Sequence, residues 1–334
     1  MALRHLIATA AVAVVALSAA GAFAEDVSIM VGGIEKQIYL PAVLTQRLGY
    51  FDAEGLNVTL LSEPAGVEAA DEMLAGAVQG VIGFYDHNID LQALGKYTES
   101  VVQLSRVPGE VELVSTQHPE IRSVADFKGR VIGVTGLGSS TDFLTKYLLL
   151  DAGVKLSEVT PLPVGAGDTL IAAMQHDQIQ AAMTTEPTVS RLLKTGQARV
   201  LVDMRDDAGT TAALGGIYPA TCLYMETSWV NTHKATVQKL ANAFVKTMHF
   251  IHLHSAEEIS ALMPTDFYVG DRVMYVNALA SGKAMFTEDG RMPEGGPENV
   301  LAVLSRIGSR VRDKPIDLAG TYSTEFVDAA NARQ

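Results

Sequence analysis

After an apolar start, the chain alternates short runs of β-branched residues with longer segments whose apolar positions recur every three or four residues. The first pattern fits buried strands and the second amphipathic helices. Strands are expected at 27–31, 58–62, 80–84, 101–105 and 111–116, with helices at 40–48, 67–75 and 89–95. Pro41 falls in the first turn of the 40–48 helix, where proline is tolerated.

A break at Gln117-His118-Pro119 interrupts the series. It resumes after Ala125-Asp126-Phe127-Lys128-Gly129, with strands at 131–134, 159–164, 179–183 and 200–204. Helices are expected at 139–152, 168–174, the latter capped by Gly167-Asp168, and 187–195. Beyond the glycine-rich stretch 209–216, a strand at 218–225 leads into helical sequence at 230–254, 271–282 and 298–311.

Alternating strands and helices imply an α/β fold of parallel sheets with helices on both faces. The halves look alike, each with an early strand that breaks on glycines and a third strand that breaks on polar residues. Two Rossmann-like lobes facing across a ligand cleft are expected, with crossings near 116–119 and 205–216 as hinges. The expected division is 25–116 for the first lobe, 117–208 for the second, and 209–334 for the return and a helical C-terminal tail. In such sheets, ligands bind outside the carboxyl ends of the strands.

The N-terminus changes where this fold is placed. Arg4 and His5 precede a small-residue apolar run at 6–20, followed by Ala22-Phe23-Ala24 before Glu25-Asp26. That run is too short to span a bilayer, and the pattern is that of a secretory signal peptide, residues 1–24, cleaved after Ala24. The one cysteine, Cys222, excludes an intramolecular disulfide and reads as a small buried core residue, and no cysteine follows the apolar run to carry a lipid. Export without either device points to a bacterial periplasm. The formal net charge of −13, without clustering, argues against nucleic acid or an anionic membrane as partner. Hydrophobic residues make up 48% of the chain, ample for two cores.

Candidate chemistry gathers where the strands end. Gly136-Leu137-Gly138-Ser139-Ser140-Thr141 joins a strand to a hydroxyl-rich helix start, where free N–H groups and the helix dipole favour an anion or a polar head group. It lacks the third glycine of a dinucleotide fingerprint, no acid ends the 159–164 strand, and the Lys-Ser/Thr pair of a P-loop is missing. Ser139 as a plain helix cap competes with Gly138, Ser139 and Ser140 as ligand contacts. In the first lobe, Tyr85-Asp86-His87-Asn88 offers a stacking face, an acceptor and a switchable donor. Capping by Asp86 or Asn88, with Tyr85 packed and His87 exposed, is the alternative. Thr184, Thr185 and Glu186 fill the matching place in the second lobe, Glu186 either meeting ligand or capping the helix that Pro187 begins. Gly32, Gly33, Gln37 and Tyr39 line the first turn, and Tyr218 is a candidate on the returning segment. His249 and His252 share a helix face while His254 points elsewhere, a solvated face rather than a metal site. No Ser-His-Asp or Cys-His arrangement stands out.

Several of these runs resemble a known family. Tyr39-Leu40-Pro41 followed by Gly49-Tyr50-Phe51-Asp52-Ala53-Glu54-Gly55-Leu56-Asn57-Val58 is similar to a signature of periplasmic substrate-binding proteins for nitrate, alkanesulfonates, taurine and thiamine-pyrimidine precursors, the SsuA/THI5-like group. Asp126-Phe127-Lys128-Gly129 with Ile132-Gly133-Val134 and Gly138-Ser139-Ser140 resembles their second-lobe signature, and AAMTTEP at 181–187 their acid–proline strand end. The resemblance, over about 27–204, implies a type II periplasmic binding fold that closes on a small-molecule ligand. It further implies delivery to an ABC permease with its ATPase subunit, by a monomer that is not membrane-embedded and needs no cofactor or metal. Gly33, Gln37, Tyr39, Tyr85, Asp86, His87, Gly138, Ser139, Ser140, Thr185, Glu186 and Tyr218 are the expected cleft residues. With Asp86 and Glu186 present and no arginine in the cleft loops, a neutral or nitrogen-bearing heterocycle fits better than a free anion, and a carboxylated compound straddling both poles stays open. The alternative is an enzyme of the pyrimidine-synthase group, which carries a cysteine-rich iron motif that Cys222 alone cannot supply. A sensor accessory delivering its ligand to a membrane kinase is a third possibility.

Overall fold

A computed structural model of the chain describes residues 24–308 and 310–333. Apart from Ala24, the expected signal peptide lies outside the described residues. The chain opens with β1 (Glu25–Val31), α1 (Leu40–Arg47), α2 (Tyr50–Ala53), β2 (Leu56–Ser62), α3 (Gly66–Leu74), β3 (Gly80–Phe84), α4 (Asp86–Ala93) and β4 (Thr98–Gln103). A second series follows: β5 (Glu110–Ser115), β6 (Val131–Val134), α5 (Ser140–Asp151), β7 (Thr160–Pro163), α6 (Asp168–Gln175), β8 (Ala181–Thr185), α7 (Thr188–Lys194) and β9 (Ala198–Met204). After α8 (Asp207–Leu214) come β10 (Thr221–Glu226), α9 (Thr227–Thr232), α10 (Lys234–Leu253), α11 (Ala256–Leu262), α12 (Arg272–Gly282), α13 (Gly296–Arg306) and α14 (Glu325–Asn331). The expected 230–254 helix is thus divided at His233. Among the described residues, no helix is long and apolar enough to cross a membrane.

The strands form two five-stranded sheets, β2-β1-β3-β10-β4 and β7-β6-β8-β5-β9. Each is mixed rather than wholly parallel. β10 runs antiparallel to β3 and β4, and β5 antiparallel to β8 and β9. The reason is topological. β5 and β10 are the strands by which the chain arrives from the other lobe, so they start at the end where their neighbours finish. Glu110 pairs with Thr185 and Thr221 with Phe84.

β5 therefore belongs to the second sheet, although 25–116 was expected to form one lobe. The first crossing is 104–109, and the expected crossing at 116–119 is a turn within the second lobe. The return, 205–220, runs beside it: Ser105 N–H donates to the Thr221 carbonyl at 3.0 Å and Ala220 N–H to the Ser105 carbonyl at 3.2 Å. The 209–216 stretch, read as a glycine-rich break, is mostly helix. Asp206 caps α8 by accepting from Gly209 N–H at 2.7 Å, and Gly215 ends it in the left-handed region.

Strand alternation builds the layers. Ile29 and Val31 face a core shared with α1, α10 and α14, while Met30, between them, faces a core shared with α3, α4 and α13. That second core continues across the cleft to Phe143, Leu144 and Met183 of the other lobe. In the second sheet, Val111 and Leu113 of β5 pack against α6 and α7. Glu110 and Glu112 consequently fall on the opposite face of β5, toward α5.

Candidate functional site

The carboxyl ends of β1, β3, β6 and β8 meet between the lobes and enclose a small cavity of about 20 Å³. From the first lobe it is lined by Lys36, Ile38, Tyr39, Gly66, Phe84 and His87. The second lobe contributes Glu110, Thr135, Ser139, Ser140, Thr141 and Thr185. Such a volume holds about one water molecule, so the lobes stand closed on each other, and an organic occupant requires the lining to draw back.

The expected residues divide into three groups. Tyr39, His87, Ser139, Ser140 and Thr185 line the cavity. Ser139 starts α5 without a side-chain capping bond. Its Oγ instead lies 3.5 Å from the Val67 N–H of the other lobe, as an acceptor. Thr185 Oγ1 donates to the Gly109 carbonyl at 3.0 Å.

Asp86, Tyr218, Gly33 and Gly138 do not line the cavity. Asp86 is fully buried; Ser140 Oγ donates to one carboxylate oxygen and the Tyr218 hydroxyl to the other, both at 2.9 Å. It thus ties the first lobe to the start of α5 and does not line the cavity. Gly33, with φ of 113°, lies under the Lys36 side chain, which a Cβ there would meet at 2.5 Å. Gly138 makes the turn before α5 and donates its N–H to Asp142 at 2.8 Å.

Gln37, Glu186 and Tyr85 point elsewhere. Gln37 N–H donates to the Glu186 carbonyl across the lobes at 3.0 Å, while its side chain donates to the Tyr275 carbonyl. The Glu186 carboxylate accepts from Ser190 N–H, capping α7, and pairs with Arg205 at 2.9 Å. The loops around the cleft therefore do carry an arginine, bound to its own acid. Tyr85 is buried on the far side of β3, its hydroxyl 2.5 Å from Thr321 Oγ1 and its ring edge-on to Tyr322.

Lys36 and Glu110 were not anticipated, and they set the electrostatics. Lys36 Nζ donates to the Gly32 and Pro64 carbonyls at 2.6 and 2.8 Å. Burial lowers its pKa to about 8, against the pull of Glu35, Glu110 and Glu68. Glu110 is pushed well above the carboxylate range by burial, with Asp86 adding and Lys36 opposing, and its Oε2 is buried without a hydrogen-bond partner. Asp86 is raised by burial, opposed by His87, Ser140 and Tyr218. His87 Nδ1 lies 3.3 Å from the Tyr224 hydroxyl, its Nε2 is buried 4.0 Å from Asp86 Oδ1 with no hydrogen bond, and its ring is edge-on to Phe143 of the other lobe. The cavity thus combines one cation, a protonatable acid and a ring of hydroxyls, a set suited to hydrogen-bonding a small polar molecule. The signal was available for the acids: Glu110-Val111-Glu112-Leu113-Val114 puts two carboxylates at period two in an apolar run.

Comparison with known proteins bears on this arrangement. The family model described as NMT1/THI5 like matches residues 38–258. A solved protein from Bordetella bronchiseptica RB50 is 32% identical with a TM-score of 0.88, covering 92% of this chain and 97% of its own. The periplasmic nitrate-binding protein NrtA from Synechocystis PCC 6803 superposes with a TM-score of 0.73 at 11% identity, over 92% of this chain and 88% of its own. The ligand-binding component of an ABC-type import system from Staphylococcus aureus, solved with zinc bound, gives 0.72 at 13% identity, over 92% and 99%. The fold is therefore that of periplasmic binding proteins. No curated protein matches the sequence.

Proposed function

Because the chain belongs to the NMT1/THI5-like family, we propose that it is the solute-binding component of an ABC importer. It works in the periplasm, captures a small polar organic molecule between its lobes and delivers it to a permease and its ATPase subunit. The observation that carries this reading is the cavity built from both lobes, with Asp86 of one bonded to Ser140 of the other. Residues that meet only on closure make ligand capture and lobe closure one event. The expected import role also draws on the Staphylococcus aureus protein, named for ABC-type import.

The ligand is polar and carries hydrogen-bond donors as well as acceptors. Lys36 and the hydroxyls of Ser139, Thr141 and Thr185 serve its acceptors, and Glu110 and His87 face its donors. Binding without chemistry is the expected behaviour.

Calorimetry against sulfonates, pyrimidines and organic acids tests the reading. A hit with one-to-one stoichiometry is expected, weakened about tenfold or more by Asp86→Ala and by Ser139→Ala. Unchanged affinity in both variants removes the site assignment, and turnover of the bound compound removes the transport reading.

A further inference from the structure

Beside the cavity lies a second hollow, of about 160 Å³, between α3, α4 and Gly138. Its walls are apolar where Val67, Ala70, Leu74 and Leu91 meet, Asp71, Asp90, Lys96 and Arg310 bring charge to it, and His87 borders both hollows. Two atoms of its lining residues are buried without hydrogen-bond partners: Asp90 Oδ1, and His87 Nε2, which stands 4.0 Å from Asp86 Oδ1. Their residues are only 7% and 4% exposed. The other Asp90 oxygen has Arg310 Nη1 at 3.6 Å, from a side chain that is 53% exposed. An ion pair so open to solvent contributes little, whereas a buried carboxylate oxygen without a donor is costly.

We propose that this chamber is a second subsite, contiguous with the cleft, that takes a protonated amine on a short aliphatic chain. The ammonium supplies the donors that Asp90 lacks and displaces Arg310 as its counter-ion. The aliphatic stem lies along Val67, Ala70 and Leu74, and His87 Nε2 meets the polar group that passes between the two hollows. A carboxylate beside Asp90 is disfavoured because it would face that carboxylate directly, with Asp71 also lining the chamber; Lys96 and Arg310 are the cations it would have to reach instead. The inference rests on the cleft being a capture site and adds the chemistry of one end of what is captured.

n-Butylammonium is the probe, with n-butanol and butyrate as matched controls, and binding is followed by the imidazole proton resonance of His87 and by calorimetry. Butylammonium is expected to bind more tightly than either control, and Asp90→Asn to weaken it about tenfold. Arg310→Ala, an exposed change that leaves the fold intact, is expected to strengthen binding by removing the competing cation. Ala70→Leu, which fills the chamber away from the cleft, should abolish it. Equal binding of butylammonium and butyrate, indifference to Asp90→Asn, or weaker binding in Arg310→Ala overturns the proposal. A cleft ligand indifferent to Asp90→Asn removes the chamber and leaves the importer reading standing. Butylammonium bound by a protein that captures no cleft ligand does the reverse.

Discussion

Glu112 shows how much a single strand position can carry. It is fully buried in β5, Thr145 Oγ1 donates to one oxygen at 3.1 Å, and the other has no partner. Burial moves its pKa from the ordinary 4.5 to about 8, the Thr145 bond opposing. The folded protein therefore keeps a proton across that window which the unfolded chain has released. Stability must fall as pH rises from about 4.5 to about 8 and level off above, since the folded state binds more protons there. Glu110 and Asp86, also raised by burial, act in the same direction. Thermal unfolding is expected to show a midpoint falling by several degrees between pH 5 and pH 8.5, and Glu112→Gln should flatten that slope. Identical slopes in the two proteins would mean that water or a bound cation reaches Glu112. The type and spacing of these acids were legible in the sequence, as two charges on one face of a buried strand. Their surroundings were not, because Lys36, whose charge acts on Glu110, lies far from it in the chain and on the other lobe.

At the scale of elements, sequence reading did best where apolar periodicity was continuous. The 80–84 strand and the 131–134 strand stand as expected, and most other elements differ by a residue or two at their ends. It failed at α8, where glycine in the helix interior outweighed its caps. Gly209 is there for packing: a Cβ would stand 2.1 Å from the Asp203 carbonyl oxygen at the end of β9. A helix that must press this closely on the strand before it has no room for any side chain. Gly209→Ala is therefore expected to destabilise the protein by about 1–3 kcal/mol through strain. Gly282→Ala is the control. Gly282 ends α12 with open space around it, so alanine there should be neutral or stabilising by up to about 1 kcal/mol. Denaturant unfolding of both variants checks the contrast, and equal midpoints would deny the close approach.

For the whole molecule, the two lobes and their cleft were readable from the repeated strand–helix pattern. The direction and membership of β5 and β10 were not. Whether a strand joins its own half or the next depends on pairing, and 111–116 looks the same in either sheet. Placing the first crossing at 104–109 sets it beside 205–220, so the two connections run side by side, joined at Ser105. Elsewhere the lobes are joined by contacts of unequal worth. Lys194 of α7 pairs with Asp271 before α12, and Arg306 of α13 pairs with Asp151 of α5 at 2.9 Å. These lie on the surface, where such pairs contribute about 0–1 kcal/mol. The Ser140–Asp86 bond is buried, and removing its donor strands a carboxylate oxygen at a cost of about 1–3 kcal/mol in the closed state alone. A ligand that binds only the closed state feels those differences directly. Lys194→Ala is thus expected to weaken the best cleft ligand by less than about fivefold, and Ser140→Ala by about 5- to 150-fold. Small-angle scattering without ligand separates this from loss of a ligand contact: the ligand-free Ser140→Ala protein should be more extended than ligand-free wild type, whereas a lost ligand contact leaves the two ligand-free curves alike. A Ser140→Ala protein as tight-binding as Lys194→Ala would mean that closure is set at the surface, and that Asp86 is neutralised without its cross-lobe partner.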